Sequence, residues 1–288
     1  MEQTILDKRA GERLVPALVG AGVLSLSGWG EVVSLFTGAV NIRHAQGLLL
    51  SLVQDPRDMT SLSVCVPALF QNQERPLALG VRVRLEGYRL TAGDFVLDLL
   101  KRPLWQGTLR ARDVKGLEAS KVTLLKGAVL SQGKDGGLLG LLREEGEDNP
   151  FVAKARQVLA GGLPLCGLVG LGPGSTPSGD DFVTGVLLGE EAKAVAENMK
   201  PVLAWPEERK GLLSALDRTC DAGKTLLWQA LQGRFPAYLI ETVRAVSKAE
   251  GRAGIDEAVE RAVRHGATSG TDALVGFVFS REGAFDLP

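Results

Sequence analysis

One pattern occurs twice in the chain: serine, glycine, any residue, aspartate, then a glycine four residues beyond the aspartate. It stands in Ser178-Gly179-Asp180-Asp181-Phe182-Val183-Thr184-Gly185 and again in Ser269-Gly270-Thr271-Asp272-Ala273-Leu274-Val275-Gly276. Both copies run into apolar segments with helical spacing, so each predicts a helix that starts at a polar turn and enters the core. Serine can cap such a helix while the aspartate reaches back to the serine amide. Gly185, Gly189 and Gly276 leave flat helix faces. Two buried helices can then approach closely and bring Asp181 and Asp272 together, within about 15 Å between Cα atoms, or one and a half interaxial distances.

The first copy is preceded by Gly170-Leu171-Gly172-Pro173-Gly174-Ser175-Thr176-Pro177. Pro173-Gly174 suits the centre of a type II turn, since proline presets φ and glycine accepts the positive φ that follows. Capping alone does not require Gly172 and Gly174, nor Asp180 as a second carboxylate in the first turn, so the loop reads equally as a ligand site. Amides at a helix N-terminus attract anions, but Asp180 and Asp181 would repel a bare phosphate. A metal-chelated phosphate or a substrate amide N–H suits the loop better. A Walker or dinucleotide loop is not supported, because no Gly-Lys-Ser/Thr follows and no βαβ unit surrounds it.

Ser175, Thr176 and Ser178, with Gly172, Gly174, Gly179 and Asp180, are read as substrate-binding groups. Thr268, Ser269 and Gly270 are their counterparts in the second copy. No Gly-x-Ser-x-Gly elbow supports a serine nucleophile. His265 precedes the second turn and is a candidate general acid or base, or a helix-terminal cap. Asn41, taken to lie in a loop between two strands, either closes a turn or orients a ligand. His44 reads as a structural histidine at a strand end. Lys224 could offset the acidic site or be a solvated side chain. No cofactor is expected; Mg²⁺ is the ion to consider if the carboxylates take a metal.

The rest of the chain frames this site. Residues 20–99 carry short β-branched alternations separated by turn signals, as strands do. The segments 39–43 and 48–53 predict neighbouring strands joined at Gln46-Gly47. Val81, Val83 and Leu85 alternate toward a core, and 95–99 ends the series. Residues 1–18 are expected to add a leading helix. Beyond Trp105 the period turns helical, with segments near 114–131, 137–145, 150–160, 179–197, 206–232, 236–249, 255–265 and 270–280. The fold class is therefore α+β: an antiparallel barrel- or sandwich-like domain over 1–105, then a mostly helical domain over 106–288 that carries both motifs.

Thirty-three basic against 34 acidic residues exclude a global pull toward nucleic acid or an anionic membrane. Cys65, Cys166 and Cys220 have neither zinc nor disulfide spacing and read as reduced, buried thiols. No apolar stretch approaches the roughly 20 residues of a membrane span and no signal peptide is evident, so a cytoplasmic location is expected.

The two motifs, 170–182 and 265–276, resemble the signature pair of the AllH-like family, long listed as a domain of unknown function. The strand and loop Phe36-Thr37-Gly38-Ala39-Val40-Asn41-Ile42 also resembles that family, so that the likeness runs from about residue 28 to 280. The resemblance implies one subunit of oxamate carbamoyltransferase in anaerobic allantoin catabolism, a branch of purine degradation, working with other subunits, one of them FdrA-like. That enzyme carries oxalurate and phosphate to oxamate and carbamoyl phosphate. On this reading Asp181, Asp272 and His265 are catalytic and the loop amides hold an oxyanion. Two other classes stay open: a non-catalytic ligand-binding or scaffolding subunit, and a metal-dependent hydrolase or phosphotransferase.

Overall fold

The computed structural model describes residues 14–71, 77–144, 149–160, 164–199 and 206–283. The leading helix expected over 1–18 falls mostly outside them, and Leu18 already begins a strand. The chain divides into two compact units, Met1–Gly107 and Thr108–Pro288.

The first unit is a curled nine-stranded sheet. Its strands are β1 (Leu18–Gly20), β2 (Gly28–Leu35), β3 (Ala39–His44), β4 (Leu49–Val53), β5 (Ser63–Cys65), β6 (Arg82–Glu86), β7 (Arg89–Ala92), β8 (Phe95–Asp98) and β9 (Leu104–Trp105). They lie in the order β8-β7-β6-β2-β3-β4-β5-β1-β9. Alternation places Val83 and Leu85 inside and Arg82, Arg84 and Glu86 outside, while Val81, just before β6, is half-buried. Val40, Ile42, Leu50, Leu52 and Val64 complete the same buried face. The sheet is mixed rather than antiparallel throughout, because β4 pairs with β5, and β1 with β9, in parallel. Only one turn of 3₁₀ helix, Pro56–Asp58, marks the β4–β5 crossover, so no helical period announces it in the sequence.

The second unit holds α1 (Ala111–Val114), α2 (Ala119–Gln132), α3 (Pro150–Ala160), α4 (Ser178–Ala196), α5 (Pro206–Ala215), α6 (Asp221–Ala230), α7 (Ala237–Lys248), α8 (Arg252–Val263) and α9 (Ser269–Arg281). The 137–145 segment forms only a 3₁₀ turn, Leu139–Leu142. The 206–232 segment divides at Cys220, whose thiol caps α6 by accepting from the Gly223 amide. None of the helices in the described residues is long and apolar enough to cross a membrane.

α4 and α9 are the buried pair at the centre of this unit, apolar on nearly every face as a wholly enclosed helix must be. Phe182 meets Phe279 edge-on, with centroids 5.7 Å apart. Glycine sets how closely the helices approach. A methyl group at Gly185 would strike the Ala273 carbonyl, and one at Gly276 would strike the Phe182 carbonyl. The first turns are clamped likewise: Gly179 abuts the Leu168 carbonyl and Gly270 the Ala262 carbonyl. These neighbours are backbone atoms, which cannot rotate away.

Gly185→Ala or Gly276→Ala should therefore cost about 3 kcal/mol or more, the upper end of overpacking. Gly251→Ala, where an added methyl meets nothing, should stay within about 0.5 kcal/mol of the parent. Urea unfolding of the three variants measures the contrast.

Candidate functional site

The glycine loop before α4 is fixed at its base and exposed at its crest. Asp180, fully buried, accepts the Gly170 amide at 2.8 Å and the Thr219 hydroxyl. Gly172 and Gly174 both have φ +105, as the Pro173-Gly174 turn requires at its glycine. Pro173, Gly174 and Ser175 face solvent. The Ser175 carbonyl accepts the Cys220 thiol at 2.9 Å.

Asp180 is thus a tether for the loop and not a second ligand-facing carboxylate. The capping expectation is also corrected. Pro177 and Thr268 occupy the N-cap positions, neither makes a side-chain cap, and Ser178 and Ser269 are the first helical residues. Because Gly185 and Gly276 let the helices close up, the motif side chains turn toward the opposite helix instead of their own.

The two motifs meet directly. Thr176 Oγ1 and Ser269 Oγ lie 3.0 Å apart. Below them are Asp181, 2% exposed, and Asp272, 0% exposed. Burial pushes the Asp181 carboxyl well above the usual carboxylate range, with the Asp272 charge adding to the rise and the Ser269 and Thr176 hydroxyls opposing it. Burial raises Asp272 too, opposed by the Leu138 amide and by the Ser178 and Thr268 hydroxyls. Each aspartate is therefore approached by the serine of the other motif. Ser178 Oγ lies close enough to Asp272 to oppose its rise, yet it completes no hydrogen bond of full geometry. Together with Asp181 Oδ2 and Asp272 Oδ2 it is a buried polar atom without a partner. A carboxyl that keeps its proton can donate as well as accept, which an ionised one cannot.

Two contributors escaped the sequence reading. The first is the segment after α2, which falls between the helical segments predicted at 114–131 and 137–145. Leu138 N donates to Asp272 Oδ1 at 2.6 Å, Lys134 N donates to Thr271 Oγ1 at 3.0 Å, and Lys134 Nζ donates to the Gly266 carbonyl at 2.8 Å. Its glycines were visible, but nothing in their spacing points to a residue more than a hundred positions away. The second is Tyr238. Its buried phenol is pushed well above the usual range, first by burial and then by the charges of Asp181 and Asp272. Its ring stacks on His265 with centroids 4.0 Å apart and planes at 16°, so the half-exposed His265 forms a rim above the pair.

Of the predicted residues, Thr176, Ser178, Asp181, His265, Thr268, Ser269 and Asp272 come together. Gly172, Gly174 and Ser175 form the crest of the loop, and Gly179 and Gly270 serve close packing. Asn41 lies within β3 and not in a loop; its amide is spent on Ser34 at 3.0 Å and Ser51 at 2.7 Å. His44 is buried, with Nε2 3.0 Å from the Ser27 carbonyl. Lys224 pairs with Asp217 at 2.5 Å rather than with the aspartates. Of the thiols only Cys65 is buried; Cys166 is half-buried and Cys220 exposed. Among the described residues no three histidine, cysteine or acidic side chains are grouped to hold a metal.

The raised carboxyls dictate a pH dependence. In the unfolded chain an aspartate releases its proton near 3.8, whereas folded Asp181 and Asp272 hold theirs to higher pH. The folded state then binds more protons, so stability falls as pH rises above about 4 and until both sites ionise. Urea unfolding at pH 5 and pH 8 should show the parent less stable at the higher pH, by up to about 1.4 kcal/mol per proton per pH unit. Asp181→Asn/Asp272→Asn should show a smaller difference.

Comparison with curated proteins and with solved structures returned no match. Among protein families, the model described as oxamate carbamoyltransferase subunit AllH matches residues 168–281. This segment contains both motifs, Tyr238 and His265, and it does not reach residues 36–42, where a likeness to the family was also expected. The likeness to the AllH family is accordingly shown over residues 168–281, the stretch that builds the α4–α9 site.

Proposed function

We propose that the paired loops form the small-molecule site of an oxamate carbamoyltransferase-type subunit, converting oxalurate and phosphate to oxamate and carbamoyl phosphate. The observation that carries this reading is the pair of buried carboxyls, Asp181 and Asp272, beneath the facing hydroxyls of Thr176 and Ser269, which lie 3.0 Å apart. A rim of hydroxyls over carboxyls that hold their protons to higher pH than usual offers donors and acceptors side by side, the pattern that reads a primary amide or ureido group.

In the proposed reaction a phosphate oxygen attacks the ureido carbonyl, the carbon–nitrogen bond to oxamate breaks, and the departing nitrogen takes a proton. The amides of Gly172 and Gly174 stabilise the oxyanion. Thr176, Ser269 and Thr268 hold the ureido group, and His265 supplies the proton. Asp181 and Asp272 were expected to be catalytic. Their burial suits a positioning role better, in which they orient the rim hydroxyls and, through Tyr238, the His265 ring. Partner subunits, one of them FdrA-like, would complete a cytoplasmic complex.

A scaffolding subunit is the second reading, favoured by the amount of the motif spent on packing: Gly179, Gly185, Gly270 and Gly276 all abut backbone. A metal-dependent hydrolase has less support, since Asp180 is committed to Gly170 and Thr219 and only two carboxyls remain.

Carbamoyl transfer by the chain reconstituted with its partners tests the proposal. His265→Gln should lower kcat by roughly a hundredfold, the low end of general acid catalysis. Ser269→Ala should raise KM, and carbamoyl phosphate should raise the Tm of the parent. Full activity in both variants would instead favour the scaffold.

A further inference from the structure

α4 carries a second feature at its other end. From Ser178 to Glu191 the helix advances roughly 20 Å at about 1.5 Å per residue. There a cavity of about 180 Å³ opens between α4, α5 and the turn after α6. Leu187, Ala194, Met199, Leu212 and Leu231 give it apolar walls. An apolar cavity of about 150 Å³ is enough to admit benzene.

The charged groups around it are unevenly committed. Glu190 accepts Lys193 Nζ at 2.7 Å and the Ser280 hydroxyl at 2.5 Å. Glu208, on α5, accepts the Leu165 amide, and Arg209 donates to the Leu231 carbonyl. Glu197 lies near enough to Arg281, on α9, to hold its charge, as Glu190 does. Glu191 is different. Its carboxylate lies against Gly233, where any side chain would crowd both oxygens, and it makes no hydrogen bond or ion pair with a described residue. Four glutamates face one lysine and one arginine around the cavity.

A half-buried carboxylate with no partner is costly to keep. Selection of such a group at the wall of an apolar cavity makes sense when a ligand supplies the missing donor. We infer that this cavity is a binding site for a small organic cation, an ammonium or amidinium on an apolar body, with Glu191 as its counter-ion. The apolar walls take the body, and Glu191 accepts a charge-assisted hydrogen bond. Burial, the one cause acting on it, lifts Glu191 to about 7, so binding belongs above that pH and weakens below it as the carboxyl takes up a proton.

Benzylammonium and benzamidinium are suitable probes, with benzyl alcohol as the uncharged counterpart, in calorimetry and thermal shift on the full chain. At pH 8 both cations should bind saturably and raise the Tm, while benzyl alcohol at equal concentration should not. Affinity should drop towards tenfold per pH unit below about 7. Glu191→Gln should weaken the cations roughly tenfold or more and should itself be more stable than the parent at pH 8, because it removes an unpartnered charge. Equal binding by benzyl alcohol, unchanged affinity in Glu191→Gln, or no binding by either cation would overturn the inference. Should Glu191→Gln fail to fold, the pH series and the alcohol comparison on the parent decide it. Glu191 is remote from the α4–α9 loops, so carbamoyl transfer can be present or absent without affecting this result.

Discussion

The carbonyl oxygen of Ala273 occupies the space that a side chain at residue 185 would need, and the carbonyl of Phe182 does the same at residue 276. Each carbonyl belongs to the residue just after a motif aspartate. The contact between α4 and α9 is thus backbone against backbone at two equivalent points, and it sets the separation of everything built on the two helices. A single methyl group at either point would push the helices apart by more than any side-chain rotation could absorb.

That spacing explains why the motif side chains do not behave as helix caps. At ordinary interhelical distances a serine at the first turn finds its own helix amides first. Here the opposite aspartate is at hand, and each motif approaches the carboxyl of the other. The cost is two acids out of water beside one another, with three polar atoms left without partners. The raised pKa values lower that cost towards acid pH, since a neutral carboxyl is far cheaper to bury than a carboxylate and can also donate. The same packing that draws the hydroxyls of Thr176 and Ser269 together at the surface therefore decides the ionisation of the groups beneath them.

Much of this was legible in sequence because it rests on short-range patterns. Alternation at Val83 and Leu85, the turn at Gly47, the helices at 150–160 and 236–249, and the close approach implied by Gly185 and Gly276 all follow from local spacing. What escaped was long-range. Tyr238 and the 133–138 segment reach the aspartates through the tertiary fold, and no residue spacing encodes such a meeting. The parallel pairing of β4 with β5 was missed for a related reason: a crossover without a full helix leaves no period to read. Asn41 and Asp180 failed differently. Both are polar residues of a kind that binds ligands, and in both the hydrogen-bonding capacity is consumed internally.

The two motifs differ where function would need them to. At the third motif position Asp180 ties down the loop of its own copy, through Gly170, whereas Thr271 ties down a distant segment, through Lys134. The base of the site is accordingly near-symmetric, with an aspartate, a serine and a close glycine from each helix, while its rim is not. One side carries an exposed crest of glycine amides and the other a histidine stacked on a buried tyrosine. A symmetric ligand would gain nothing from such a rim. A substrate with an anionic end and a group that exchanges a proton would use both sides at once, with the crest amides holding the first and the imidazole facing the second. The duplication supplies a close-packed floor, and the departure from it gives the rim two chemically different sides.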